Sequence, residues 1–148
     1  MKKLFFALMI GSIVMACTAK TDNPFFQSYE NEYGAPPFDK IKTEHYMPAF
    51  TEGMKQHQAE IDSIANNPEA PTFANTIEKM DFSGELLKKV SSAFFNVQSA
   101  DTNDDLDSIA KEITPELTAH NDNIYLNDKL FQRVKTLYDN RTNLGLTA

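Results

Sequence analysis

Large apolar residues recur three or four positions apart from Tyr46 to Tyr138, and no stretch alternates apolar with polar. A spacing of three and four keeps side chains on one helix face, whereas a strand needs a spacing of two. The chain is therefore expected to be all-α, with antiparallel helices joined by short loops. The first helix is expected from Thr43 or Glu44 to Asn66, with stripe Tyr46, Phe50, Met54, His57, Ile61 and Ile64. Thr43 can cap it, and Pro48 falls near the first turn, where a missing N–H costs least. Asn66-Asn67-Pro68 stops it.

Thr72 opens a second helix reaching about Gln98, with Phe73, Ile77, Met80, Leu87, Val90, Phe94 and Val97 along one side. Gly84 sits inside that span and marks either a close crossing or a break. The third helix starts in Asp101-Thr102-Asn103-Asp104, where acids complement the helix dipole. Leu106, Ile109, Ile113, Leu117 and His120 follow, with a kink expected at Pro115. The fourth begins at Asn127 and carries Leu130, Phe131, Val134, Leu137 and Tyr138 to about Arg141.

Before the helices lies a different kind of segment. Lys2 and Lys3 precede an apolar run, Leu4 to Val14, too short for the roughly 20 residues a spanning helix needs. It reads as a cleaved secretory signal. The run closes as Val14-Met15-Ala16-Cys17, which resembles the lipobox of bacterial lipoprotein precursors. That resemblance implies cleavage before Cys17, lipidation of its sulfur and acylation of its new amine. Two or more acyl chains anchor stably where one anchors marginally. The expected organisation is a signal peptide over 1–16, a lipid-anchored linker and extended segment over 17–39, and a helical body over 40–148. The aromatics of the extended segment are expected to lie along the helical core. Thr18 after the anchor, with no Asp there, implies by the same resemblance an outer-membrane address facing periplasm or exterior.

Removing residues 1–16 takes two lysines and no acid, so the formal charge of −7 becomes −9. An acidic domain of this size has no electrostatic footprint for nucleic acid, and membrane contact is expected through the lipid alone. Cys17 is the sole cysteine, so no internal disulfide can form.

Candidate chemistry is sparse. His45, His57 and His120 do not have His-Glu-x-x-His spacing, so no metal site is expected from this chain. Asp101, Asn103, Asp105, Asp107 and Glu112 resemble the oxygen positions of a calcium loop. Leu106, however, stands where the sharp loop requires Gly, so an acidic helix start explains the segment better. Glu78 and Asp81, one turn apart, read as a solvated face, and Asn140-Arg141-Thr142 fits a glycosylation sequon a bacterial lipoprotein would not use. With no Gly-rich phosphate loop and no G-x-S-x-G elbow, no catalytic residue is expected.

A longer resemblance runs through these segments. Asn23-Pro24-Phe25-Phe26, Pro36-Pro37-Phe38, His45-Tyr46-Met47-Pro48-Ala49-Phe50, Gly53-Met54, His57, Glu60-Ile61 and Ile64-Ala65 come in order. Pro71-Thr72-Phe73, Asn75-Thr76-Ile77, Gly84-Glu85-Leu86-Leu87 and Phe94-Phe95-Asn96 continue it. Glu112-Ile113, Pro115, Leu117, His120, Ile124-Tyr125-Leu126-Asn127, Leu130-Phe131 and Leu137-Tyr138 complete it. This string, over about residues 23 to 146, is similar to the N-terminal region of bacterial peptidyl-dipeptidases. These are the dipeptidyl carboxypeptidases of the thimet-oligopeptidase-like zinc metallopeptidase family.

The resemblance implies part of the N-terminal lobe of a larger helical metallopeptidase. In that family two lobes clamp a channel that admits short peptides, and dipeptides leave from the substrate's C-terminus. The zinc, which polarises the scissile carbonyl and activates a water, lies in a much later His-Glu-x-x-His helix. No catalytic or metal residue is therefore carried over onto this chain, and it is expected to be inactive by itself. It is also expected to be marginally folded, with apolar surface left exposed. The alternative reading is a self-standing helical lipoprotein that binds a peptide or partner, and a third is a calcium-responsive helix pair.

Overall fold

A computed structural model describes residues 22–31 and 33–145. Cys17 and the signal segment fall outside the described residues. Four long helices make up the body: α1, Tyr46–Ala65; α2, Glu85–Ala100; α3, Asp104–Tyr125; and α4, Asp128–Asp139. No strand occurs among the described residues, and α1 packs against each of the other three helices. No described helix is long and apolar enough to cross a membrane.

Capping side chains fix two of the four helix starts. Asn103 Oδ1 accepts from the Leu106 amide at α3 and Asn127 Oδ1 from the Leu130 amide at α4, both at 3.0 Å. Each satisfies a donor the helix cannot pair internally. Asp104, Asp105 and Asp107 fill the first turn of α3, so the acidic run is a helix start. α1 follows a 3-10 turn, Thr43–His45, and α3 continues through Pro115 as one helix.

The second expected helix is two pieces. Thr72 does open a helical segment: its hydroxyl accepts from the Asn75 amide, and Asn75 Oδ1 accepts from the Thr72 amide. That segment is a π-helical stretch, Phe73–Glu78, and one α turn, Lys79–Asp81. It stops because Gly84 takes φ +71°, a left-handed conformation, before α2 begins. Gly84 is also a close crossing, since a Cβ there would lie 2.9 Å from His57 Cγ.

Two apolar clusters fill the interior. The larger joins Phe25, Tyr46 and Phe50 to Val90 and Phe94 of α2 and to Leu106 and Ile113 of α3. Phe94 is its hub, edge-on to Tyr46 at 5.0 Å and to Phe50 at 5.4 Å between ring centroids. Full burial of such a side chain stabilises by about 1.5–3 kcal/mol, and edge-to-face geometry adds to it. The smaller cluster joins Ile61, Ile64 and Ala65 to Ile124 and Leu130. Phe25 reaches the larger cluster from a 3-10 turn, Pro24–Phe26, held where Asn23 Nδ2 donates to the His45 carbonyl at 2.8 Å.

Several stripe residues are not core. Phe73, Phe131 and Tyr138 are each more than half exposed, as is Phe82, which lies outside the stripe. Leu130, Arg133 and Leu137 are the buried face of α4, which turns Phe131 and Tyr138 outward.

Candidate functional site

Three places bring polar side chains together. The first lies between the two apolar clusters, where α1, α3 and the turn before α2 meet. His120 Nε2 stands 3.0 Å from His57 Nδ1, with ring centroids 5.0 Å apart. One ring must donate and the other accept, so the neutral pair shares one proton. Glu60, one turn on from His57, accepts from the Gly84 amide at 2.7 Å. That bond fixes the left-handed turn whose glycine lies against the His57 ring. Burial pushes His57 below its ordinary value, helped by His120 and Lys88 and opposed by Glu60. Burial likewise lowers His120.

The second is a groove of about 690 Å³ between the N-terminal segment, α1 and α2. Glu52, Glu60 and Glu85 line it beside Tyr29 and Lys89. Lys89 straps the segment in place: its ammonium donates to the Gln27 carbonyl at 2.6 Å and the Phe25 carbonyl at 3.2 Å. It also lies 3.6 Å from the centre of the Tyr29 ring. Burial lowers Lys89, while Glu85 opposes that shift. The Tyr29 hydroxyl is buried without a partner among the described residues, and burial pushes it up to about 12.

The third is Arg133, a buried cation on α4 that meets no carboxylate among the described residues. Its guanidinium donates to the carbonyls of Asn67 and Glu69 at 2.8 and 3.0 Å. It also donates to Asn75 Oδ1 at 2.9 Å and Thr76 Oγ1 at 3.2 Å. Four neutral oxygens thus clamp the connection after α1 to α4. This fork geometry suits Arg and no other side chain.

The sequence candidates fall into place around these. His45 stands apart from the other two histidines in role: its Nδ1 accepts from the Lys42 amide at 3.0 Å and closes the turn before α1. Among the described residues no three of His, Cys, Asp or Glu gather where a metal could be held. Asp107 accepts from Thr102 Oγ1 at 2.6 Å and Gln98 Nε2 at 3.2 Å, bonds that lower its carboxyl. Its carboxylate is thus engaged within the helix start. Glu78 and Asp81 are both exposed.

Neither Arg133 nor the Glu60 bond to Gly84 is legible in the sequence as part of a site. A lone arginine on the stripe side of α4, four before Leu137, was the only available signal for the first. The pairing of His57 with His120 crosses 63 positions and left no local trace.

No family model matches the chain. It is 47% identical over 128 residues to the dipeptidyl carboxypeptidase of Escherichia coli strain K12. The chain is similar to dipeptidyl carboxypeptidase. That match covers 86% of the chain and 19% of the relative. The dipeptidyl carboxypeptidase of Salmonella typhimurium is 44% identical over 124 residues, covering 84% of the chain and 18% of that protein. The chain thus spans about a fifth of the length of the curated relatives it matches.

Proposed function

We propose that these residues form opening helices of the N-terminal lobe of a zinc peptidyl-dipeptidase, which removes C-terminal dipeptides from short peptides. The observation that carries this reading is the 47% identity over 128 residues with a dipeptidyl carboxypeptidase. The contribution proposed for this region is architectural: it builds helical wall and supplies no zinc ligand. The described side chains do not fit a zinc ion, which needs three converging protein donors. His57 and His120 face each other, and His45 is spent on a backbone amide. The outward aromatics Phe73, Phe82, Phe131 and Tyr138 are surface that a larger helical protein would cover.

Reading the nucleotides that adjoin the coding region tests this proposal. A continuation encoding His-Glu-x-x-His is expected, and a stop followed by an unrelated gene would overturn it.

We also propose that Cys17 carries lipid and holds the protein at the cell envelope, outer membrane included. Labelled palmitate is expected to enter the protein, and Cys17→Ser to lose both label and membrane association. Membrane association that survives Cys17→Ser would refute the anchor.

A further inference from the structure

We propose that the His57–His120 contact is a pH-responsive joint, and that acidification releases α4 and the segment between α1 and α2 from the rest of the fold. On α1, His57 lies between Phe50 of the larger apolar cluster and Ile61 of the smaller. On α3, His120 lies between Ile113 of the larger and Ile124 of the smaller. The pair is the polar layer separating two interiors, so the smaller cluster can open while the aromatic one stays closed.

The second ground is the count of protons. With one proton between the facing nitrogens, 3.0 Å apart, the contact is a hydrogen bond. Adding a proton at a far ring nitrogen keeps that bond but leaves a cation in a half-buried layer. Adding another puts N–H groups on both facing atoms, and the rings must part.

The surroundings do little to hold such charge. His57 is faced by Glu60 from its own helix, by Lys88 from α2 and by His120 from α3. Glu60 offsets part of the cost of a charge on His57, but burial, His120 and Lys88 all oppose it. A parted pair would disturb that amide through the glycine against the His57 ring, and with it the turn connecting the two halves.

Amide hydrogen exchange on the full chain at pH 7.5 and pH 5.0, corrected for intrinsic rates, tests the joint. Residues 66–83 and 128–139 are expected to lose protection at least tenfold at the lower pH, while 46–54 and 86–98 keep theirs. In His120→Gln, whose amide can donate to or accept from His57, the pH-dependent loss of protection in both regions is expected to shrink severalfold. Equal loss in both clusters, or an unchanged step in His120→Gln, would overturn the proposal. Should that variant not fold, the ring protons of the unmodified chain decide. Coupled titration of His57 and His120 below the ordinary value of about 6.5 supports the joint, and independent titration at that value refutes it.

Discussion

Gly53 of α1 touches the backbone of α2 at Leu87: a Cβ added to Gly53 would stand 3.0 Å from Leu87 Cα and 3.1 Å from its amide nitrogen. Backbone, unlike the tip of a side chain, cannot step aside, so any side chain here would push the two helices apart. Gly53→Ala is expected to destabilise by about 1–3 kcal/mol despite the higher helix propensity of alanine. Urea unfolding measures this, and a variant as stable as the parent would show that the helices are not held this close.

Arg133 should be the costliest polar residue to lose. Arg133→Met would leave the Asn67 and Glu69 carbonyls without the guanidinium and take a donor from Thr76 Oγ1, while Asn75 Oδ1 keeps the Thr72 amide. A loss of roughly 2–3 kcal/mol is expected, because hydrogen bonds to a charged group are worth about 1.5–3 kcal/mol each and do not add fully where the acceptors are only part-buried. Arg133→Lys should recover little of it, since a point charge cannot span the fork. Unfolding midpoints of the two variants check this, with restored stability in the lysine variant as the contrary result.

The strap at Lys89 acts locally. Lys89→Met removes the donors to Phe25 and Gln27 while leaving Phe94 and its neighbours packed. Limited proteolysis should then cut within residues 27–38 several times faster, with global stability lower by about 1–2 kcal/mol. Cleavage at the parent rate would place the hold elsewhere.

Tyr29 gives an alkaline test with a definite sign. Its phenol is pushed up to about 12 in the fold, against an ordinary value of 10.0. The unfolded chain therefore loses that proton first, and its share of stability, fully present below pH 10, is lost as pH rises toward 12. Tyr29→Phe should lose this alkaline step and match or exceed the parent in stability near pH 7, because the hydroxyl has no partner among the described residues. Denaturation at both pH values checks it, and a less stable variant at neutral pH would mean the hydroxyl is bound.

The acid side has the opposite sign. His57 and His120 are both lowered in the fold, so the unfolded chain binds more protons below about pH 6.5. Their stabilisation is fully present above that value and disappears as pH falls toward the folded values. The slope of stability against pH between 7.5 and 5 should flatten in His120→Gln, and an unchanged slope would assign the acid loss to other groups.

The helices themselves were legible because Tyr46, Phe50, Ile61 and Ile64 repeat at helical spacing and Thr72 and Asn127 are good caps. Gly84 gave a fair hint, though not that its left-handed backbone would divide one expected helix into two. What stayed hidden depends on tertiary approach. The spacing of Phe131 and Tyr138 cannot tell which of two adjoining faces of α4 turns inward, and Arg133 decides it by taking a buried place. The histidine pair and the Gly53 crossing exist only once α1, α2 and α3 are assembled, so no local pattern encodes them.

The absence of peptidase chemistry in these helices is tested by incubating the pure 148-residue chain with zinc and an N-blocked tetrapeptide and assaying for free C-terminal dipeptide. No dipeptide above a no-protein control is expected, and no zinc should be retained after desalting. Dipeptide release that a chelator abolishes, with one zinc held per molecule, would contradict it.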